Sequence, residues 1–282
     1  MAESGIINLN KPSGISSAAA VAWVRRAAKL PCGHMGTLDP LASGVLPVGV
    51  GNASRLFPYL LEKEKTYAAV FRFGEETDTL DTEGTTLRTG GYVPDAEEIR
   101  AMLPRFTGEI DQVPPQYSAK SVGGVRAYAL ARRGGHTDLA AKRVRVCSFE
   151  MTGARGAGEF EFRIRCGSGT YIRALGRDLA ACFGTGAVMT ELVRESSGIF
   201  TLAGSVSPGD LEGDGWRRFL IPPEEAVDYP RFFAEGDTAR RLRNGLSVPD
   251  GGSGFSRLYL NGVFYGIAES ADGALRAKSK LV

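Results

Sequence analysis

Apolar residues alternate with polar ones along two segments of the chain and recur at helical spacing along three others. Thr66–Phe73 alternates, which places Tyr67, Ala69, Phe71 and Phe73 on one face of a strand. Glu159–Cys166 does the same, with Phe160, Phe162, Ile164 and Cys166 inward and Glu161, Arg163 and Arg165 outward. Ser16 or Ser17 caps a predicted helix that runs to about Leu30 with Val21, Val24 and Ala28 on one side. Asp95 and Glu98 read as a capping box for a helix that turns Ile99, Met102 and Leu103 inward. A third helix is expected from about Thr170 to Phe183, burying Ile172, Leu175, Leu179 and Cys182. Arg173 and Arg177 lie four apart on another of its faces.

Between these elements the chain is less regular. Gly5–Leu9 reads as a short strand that runs into a turn at Lys11-Pro12-Ser13-Gly14. Residues 31–55 are rich in Gly and Pro and read mainly as a loop, apart from the apolar stretch Gly44–Val50. Ser207–Tyr229 looks like a connection. Beyond it come a short basic helix over Thr238–Asn244, stopped by Gly245, and a hairpin turning at Asn261-Gly262. Asp272-Gly273 marks one more turn, so the last 45 or so residues suggest a small β-rich appendage.

The 282 residues are 43% hydrophobic and 23% charged, enough for a packed core and too balanced for disorder. The length exceeds the usual single-domain range, so a large domain plus a small one is expected. No apolar run is long enough to span a membrane, and the first residues lack the layout of a signal peptide, so a cytoplasmic protein is expected. Cys32, Cys147, Cys166 and Cys182 are irregularly spaced and contain no Cys-x-x-Cys pair, which favours buried reduced thiols. With only His34 and His136 as histidines, a His-rich metal site is disfavoured. Net charge is only +2, but it is unevenly spread. Glu75–Gln112 holds ten acidic and three basic residues, whereas Tyr117–Arg177 holds twelve basic and four acidic. A basic block of that size attracts phosphates.

Candidate chemistry sits in Gly33-His34-Met35-Gly36-Thr37-Leu38-Asp39-Pro40-Leu41-Ala42-Ser43-Gly44-Val45-Leu46. Pro40 pushes Asp39 out of the α region, and Gly36 and Gly44 allow a close backbone approach. A constrained carboxylate beside a histidine results, although on spacing alone Asp-Pro is equally the start of an ordinary turn. The stretch resembles the Gly-His-x-Gly-Thr-Leu-Asp-Pro signature of the TruB family, bacterial tRNA pseudouridine-55 synthases. Four further blocks match in order: Gly5–Ser17; Lys65-Thr66-Tyr67 with Gly74, Thr77-Asp78-Thr79 and Asp81; Pro114-Pro115-Gln116-Tyr117-Ser118-Ala119 with Gly124, Arg126, Ala127 and Tyr128; and Gly169-Thr170-Tyr171-Ile172-Arg173 with Leu175, Asp178 and Leu179. The likeness continues through Gly186-Ala187 and Leu192 to Gly198-Ile199-Phe200. Asn10, Asn52 and Ser54 depart from the family's usual residues.

The resemblance implies an α+β fold, in which a mixed, largely antiparallel sheet flanked by helices forms an RNA-binding cleft beside a small C-terminal PUA-like β domain. Residues 1–230 would be the catalytic domain, with an RNA-binding insertion at about 115–145 that contributes Lys120, Arg126, Arg132, Arg133, Lys142, Arg143 and Arg145. Residues 231–282 would be the PUA-like part. The implied reaction isomerises a T-loop uridine, U55, to pseudouridine, an isomerase reaction that needs no cofactor and no metal. Asp39 would be the nucleophile and Arg173 the cation that keeps its carboxylate charged. Tyr67 would stack on the flipped base, His34 would hold the flipped nucleotide or fill its vacated space, and Tyr171 and Leu192 would line the uracil pocket. The implied partner is the T-stem-loop of tRNA, with no membrane and no obligate protein partner, and a monomer is expected. Competing readings are a guide-directed ribosomal RNA modifier of the dyskerin type, a non-catalytic RNA chaperone, and a glycosidase, which would want two carboxylates about a sugar bond.

Overall fold

The computed structural model describes residues 3–61, 63–117, 121–122, 125–126 and 139–281. Lys120, Arg132, Arg133 and the Arg126 side chain, expected to contact RNA from the insertion, lie outside the described residues.

In the first half, strands β1 (Gly5–Lys11), β2 (Cys32–His34), β3 (Ser43–Val50), β4 (Lys65–Phe73), β5 (Glu76–Thr77), β6 (Thr86–Arg88) and β7 (Gly108–Gln112) are interleaved with helices α1 (Ser17–Ala28), α2 (Phe57–Leu61) and α3 (Ala96–Met102). Then follow β8 (Ser121–Val122), β9 (Val125–Arg126), β10 (Lys142–Gly156), β11 (Glu159–Cys166), α4 (Ile172–Ala181), β12 (Ala187–Ser197) and β13 (Phe200–Thr201). The C-terminal part contains β14 (Arg231–Ala234), α5 (Gly236–Arg243), β15 (Val248–Pro249), β16 (Gly254–Leu260), β17 (Val263–Ala271) and β18 (Ala274–Lys280). Among the described residues the main sheet has the order β1-β3-β12-β4-β11-β10-β7, with β2 on β3 and β13 on β12. Only the β3–β12 pairing is parallel. The α+β architecture is the expected one, and a second, five-stranded sheet of order β14-β16-β17-β18-β15 closes the chain.

The two alternating segments become β4 and β11, paired with Phe71 opposite Phe160 and Ala69 opposite Phe162. Their inward faces join Val21 and Val24 of α1, Ile99 of α3 and Ile172, Leu175 and Leu179 of α4 in one core. Capping sets the helix starts. Ser16 accepts from the Ala19 amide, and Asp95 and Glu98 complete the expected reciprocal box. Helix α4 is seated by Gly176, where an added Cβ would fall 2.7 Å from the Phe71 ring. Replacing Phe71 by Ala would remove the ring that both sheet and helix share, at a cost of about 3–5 kcal/mol.

Several expectations change. Residues 31–55 hold β2 and a 3-10 turn at Gly51–Leu56 besides the apolar strand β3, so His34 stands on a strand. Strands β10 and β12 carry no clean alternation, because bulges interrupt β10 at three places and β12 at Met189/Glu191 and Arg194/Ser196, and each bulge reverses the face sequence. Cys182 is exposed, since α4 ends at Ala181 and leaves it at the C-cap. All four thiols are free, but only Cys166 is fully buried. At the C-terminus Asn261 and Gly262 both take positive φ, as a two-residue hairpin turn requires, and Asp272-Gly273 does the same between β17 and β18. No helix among the described residues is long and apolar enough to cross a membrane.

Candidate active site

The loop that carries Asp39 joins β2 to β3 and is held from below by the connection between β1 and α1. Ser17 Oγ donates to the Leu38 carbonyl and accepts from the Leu38 amide, both at 2.8 Å. Ser13 Oγ donates to the Leu41 carbonyl at 2.6 Å, and the Gly14 amide to the Pro40 carbonyl at 2.9 Å. Lys11 is fully buried, and its ammonium donates to the carbonyls of Pro12, Ile15 and Pro40. Burial lowers the Lys11 pKa to about 8, against the opposing pull of Glu83 and Asp39. The Gly5–Ser17 block is thus a mount for the Asp39 loop, which explains why the two sequence blocks occur together.

Helix α4 supplies the opposite wall. Its N-cap Tyr171 has no side-chain cap bond, and Gln112 of β7 substitutes. Gln112 Oε1 accepts from the Tyr171 amide at 2.8 Å while Nε2 donates to the Tyr171 carbonyl at 3.1 Å. Two residues on, Arg173 is almost fully buried and its Nε meets Asp39 Oδ2 at 2.9 Å. Its other nitrogens donate to the Thr79 carbonyl at 2.7 Å and the Tyr117 carbonyl at 3.0 Å, and Nη1 lies 3.5 Å from Asp81 Oδ2. Asp81 is buried as well, and its Oδ1 accepts from Thr79 Oγ1 at 2.6 Å and from the Glu83 amide at 3.1 Å. Asp39 itself keeps about a third of its side chain in solvent, at 35%. Arg173 is the charge that most needs compensation here, and Asp81 with Asp39 supplies it.

Between the walls lies a cavity of about 250 Å³ lined by Asp39, Tyr67, Tyr171, Arg173, Leu192 and Arg194, among others. Tyr67 points from β4 and Leu192 from β12, and both are buried. Burial raises the Tyr67 phenol above its usual range, and the adjacent Arg194 guanidinium works against that rise. This arrangement can place one carboxylate, held by a permanent cation, against a flat guest between aromatic and aliphatic walls.

The sequence profile of the "TruB family pseudouridylate synthase (N terminal domain)" matches residues 25–172, more than half of the chain. The chain belongs to the TruB family. A curated relative from Caulobacter sp. (strain K31), "tRNA pseudouridine synthase B", is 40% identical over 87% of this chain and 81% of its own length. One of the same name from Dehalococcoides mccartyi is 41% identical over 86% of this chain and 83% of its own. A solved chain in a "Cbf5-Nop10-Gar1 Complex" is 25% identical and superposes over 99% of this chain and 85% of that one, with a TM-score of 0.74.

In this TruB-family chain, Asp39, Arg173, Tyr67, Tyr171 and Leu192 are brought to one cavity. His34 is not among its lining residues. It sits on β2 and lines a separate cleft of about 760 Å³ with Arg55, Phe57, Lys278 and Lys280, where the main sheet meets the C-terminal one. That cleft is the larger, but its lining contains no carboxylate. The His34 pKa is lowered by burial and by Arg194, and among the described residues its buried Nδ1 has no hydrogen-bond partner. Much of the basic block of the TruB-family chain is already engaged: Arg143 pairs with Asp111, Arg155 with Glu161 and Glu191, Arg163 with Glu195, and Arg165 with Glu64. Sequence reasoning singled out neither Gln112 nor Arg194. Gln112 ends a largely exposed strand two residues before the Pro114 block and belongs to no motif itself, and Arg194 falls beside a bulge in a strand without alternation.

Proposed function

We propose that this protein isomerises a tRNA uridine to pseudouridine, that the uridine is U55 of the T-loop, and that Asp39 is the nucleophile. The reading rests on one observation above all: Asp39 is ion-paired to Arg173 at a cavity whose walls include Tyr67, Tyr171 and Leu192. Curated relatives that match most of the chain and are named tRNA pseudouridine synthase B support the RNA class. The reaction breaks the bond from ribose C1′ to N1, turns the uracil and forms the bond from C1′ to C5; C5 gives up its proton to a base, and N1 takes one up. Atoms are conserved throughout, so the protein needs a nucleophile, a base and a pocket. Arg173 engages Oδ2, which leaves Oδ1 of Asp39 to react.

A cavity of this size takes one base and not a paired stem, so the uridine must leave its stack. Tyr67 gives the flipped base an aromatic face, worth about 1–3 kcal/mol, and its hydroxyl takes part in proton transfer as a relay that gives up its own proton when it receives another. Arg55 and Lys280 around the His34 cleft carry positive charge toward the C-terminal sheet, which extends the RNA contact to that part of the chain. His34 would meet the RNA outside the base pocket, beside the flipped nucleotide.

An unmodified tRNA transcript incubated with the protein is expected to gain one pseudouridine in its T-loop, read by chemical mapping and primer extension. Asp39→Asn should lower the single-turnover rate by roughly 10⁴-fold or more. A transcript left unmodified by the wild-type protein would refute the activity, and full turnover by Asp39→Asn would refute the role of the carboxylate.

A further inference from the structure

Arg194 is 1% exposed, on the central strand β12, and among the described residues no carboxylate forms an ion pair with it. An isolated buried guanidinium is expensive unless its donors are satisfied. Here Nε donates to the Val45 carbonyl at 2.6 Å and Nη2 to the Gly36 carbonyl at 3.1 Å. Those two carbonyls lie on either side of Asp39, at the start of its loop and at the strand the loop enters. On the other side of β12, Arg194 stands directly opposite Tyr67 in the antiparallel register, and its guanidinium faces the phenol.

The two glycines that frame the Asp39 loop are explained by the same residue. Gly44 is paired with Arg194 in the parallel register at φ +99°, and a Cβ there would fall 2.4 Å from the Arg194 carbonyl oxygen. Gly36 has φ +111°, and its added Cβ would lie 3.6 Å from Arg194 Nη1. Both positions need a backbone that L side chains rarely adopt, and both bring the loop against Arg194. One guanidinium thereby touches the loop bearing the carboxylate, the strand that ends the loop, and the aromatic side chain facing the carboxylate across the cavity.

We infer that Arg194 is the positioning residue that fixes Asp39 and Tyr67 relative to one another by clamping the Gly36–Val45 loop to the strand opposite Tyr67. The inference rests on the reaction proposed above, because positioning has a kinetic meaning only if both groups serve one substrate. A permanent cation suits the task better than a lysine, since the planar fork reaches two carbonyls and a third group at once.

The experiment compares Arg194→Met, Arg194→Lys, Tyr67→Phe and the Arg194→Met/Tyr67→Phe double variant in full-length protein. Single-turnover rate on the unmodified transcript, RNA dissociation constant and melting temperature are measured for each. Arg194→Met is expected to slow the chemical step about 10²-fold or more, with RNA affinity within about threefold of wild type. Arg194→Lys should recover about a tenth of wild-type rate or less, keeping the charge while losing the fork. The double variant should lie within about fivefold of the slower single variant, because the two residues act as a unit. Carbon-13 labelling of tyrosine Cζ gives a readout without turnover: in Arg194→Met the Tyr67 resonance, assigned by its loss in Tyr67→Phe, should move while the other tyrosines stay. Losses that multiply, or an unmoved Tyr67 resonance, would overturn the positioning role, as would a weakened affinity that accounts for the whole effect. If Arg194→Met does not fold, the same comparison is made with Arg194→Lys. A wild-type protein that makes no pseudouridine would instead remove the proposed reaction, and the tyrosine spectrum would still decide whether Arg194 holds Tyr67.

Discussion

Arg173 and Arg194 are buried in facing walls of the same cavity, yet their charges are satisfied by different means. Arg173 projects from helix α4 into carboxylates, with Asp39 on its solvent side and Asp81 on its buried side. Arg194 projects from a central strand into the carbonyls of Val45 and Gly36 and toward the Tyr67 phenol. A charge matched by carboxylates is largely cancelled at a distance. One matched by carbonyl dipoles keeps its field, and that field helps to depress the Lys65 and His34 pKa values. The pair teaches that this site holds two sorts of cation. Arg173 is ion-paired directly to the Asp39 carboxylate, while Arg194 holds the loop that carries it.

The largest effect on stability should come from breaking the first of these. Arg173→Met leaves Asp81 buried without its cation, and removing one member of such a pair is expected to cost about 3–5 kcal/mol. Asp39→Asn should change stability by less than about 1 kcal/mol, because Asp39 is partly solvated and Arg173 retains Asp81. Urea unfolding of the two variants, with equal m-values as a check, measures the difference. Equal destabilisation would mean that Asp39, not Asp81, is the compensating charge.

The contrast also shows how much was legible beforehand. Asp39, Arg173, Tyr67, Tyr171 and Leu192 were identified through ordered motifs, and the alternation of β4 and β11 is visible in the residues alone. Arg194 was not, because the bulge beside it shifts the register and removes the period that would have marked a strand. Reading Arg173 as the guard of a buried carboxylate inverted the dependency: the arginine is the buried partner and Asp39 the partly solvated one. The His34 expectation came from the family resemblance, which put it beside the flipped nucleotide and not in the wall of the uracil pocket. Strand β2 directs that residue toward the cleft shared with Lys278 and Lys280, a placement that depends on strand pairing and not on any motif. The net charge of the basic block could be counted, but its pairing with Asp111, Glu161, Glu191 and Glu195 depends on strand neighbours that no count reveals.

A smaller perturbation tests the Arg194 side. Gly44→Ala puts a methyl group against the Arg194 carbonyl at a positive φ, so strain and clash add to roughly 2–3 kcal/mol. The strain falls on the β3–β12 contact, so the rate should fall more than RNA affinity does. Gly254→Ala, in the C-terminal sheet, is the control: φ is also positive, at +84°, but nothing lies within 4 Å of the new methyl. Chemical denaturation and single-turnover rates on both variants separate backbone strain alone from displacement of Arg194. A rate loss in Gly254→Ala as large as that in Gly44→Ala would assign the effect to strain.

The smallest effect is a pH dependence, and its sign follows from the same field. Lys65 is held down to about 8, first by burial and then by Arg194, whereas an unfolded lysine titrates near 10.5. Between about pH 8 and 10.5 the unfolded chain therefore binds more protons at this site than the folded one, so this lysine makes stability rise with pH across that window. Below about pH 8 both states are protonated, and the penalty is constant. Lys11, also held to about 8, acts in the same direction, and Cys166, raised to about 11 chiefly by burial, acts in the opposite one, so the raw profile mixes several groups. The difference between wild type and Lys65→Gln isolates the lysine: relative to the variant, wild type should gain stability from pH 8 to pH 10. If Arg194 contributes to the depression, the gain should be smaller in an Arg194→Met background, where the Lys65 pKa returns part of the way toward its ordinary value. An unchanged gain would leave burial as the whole cause and confine Arg194 to its contacts with the loop and Tyr67.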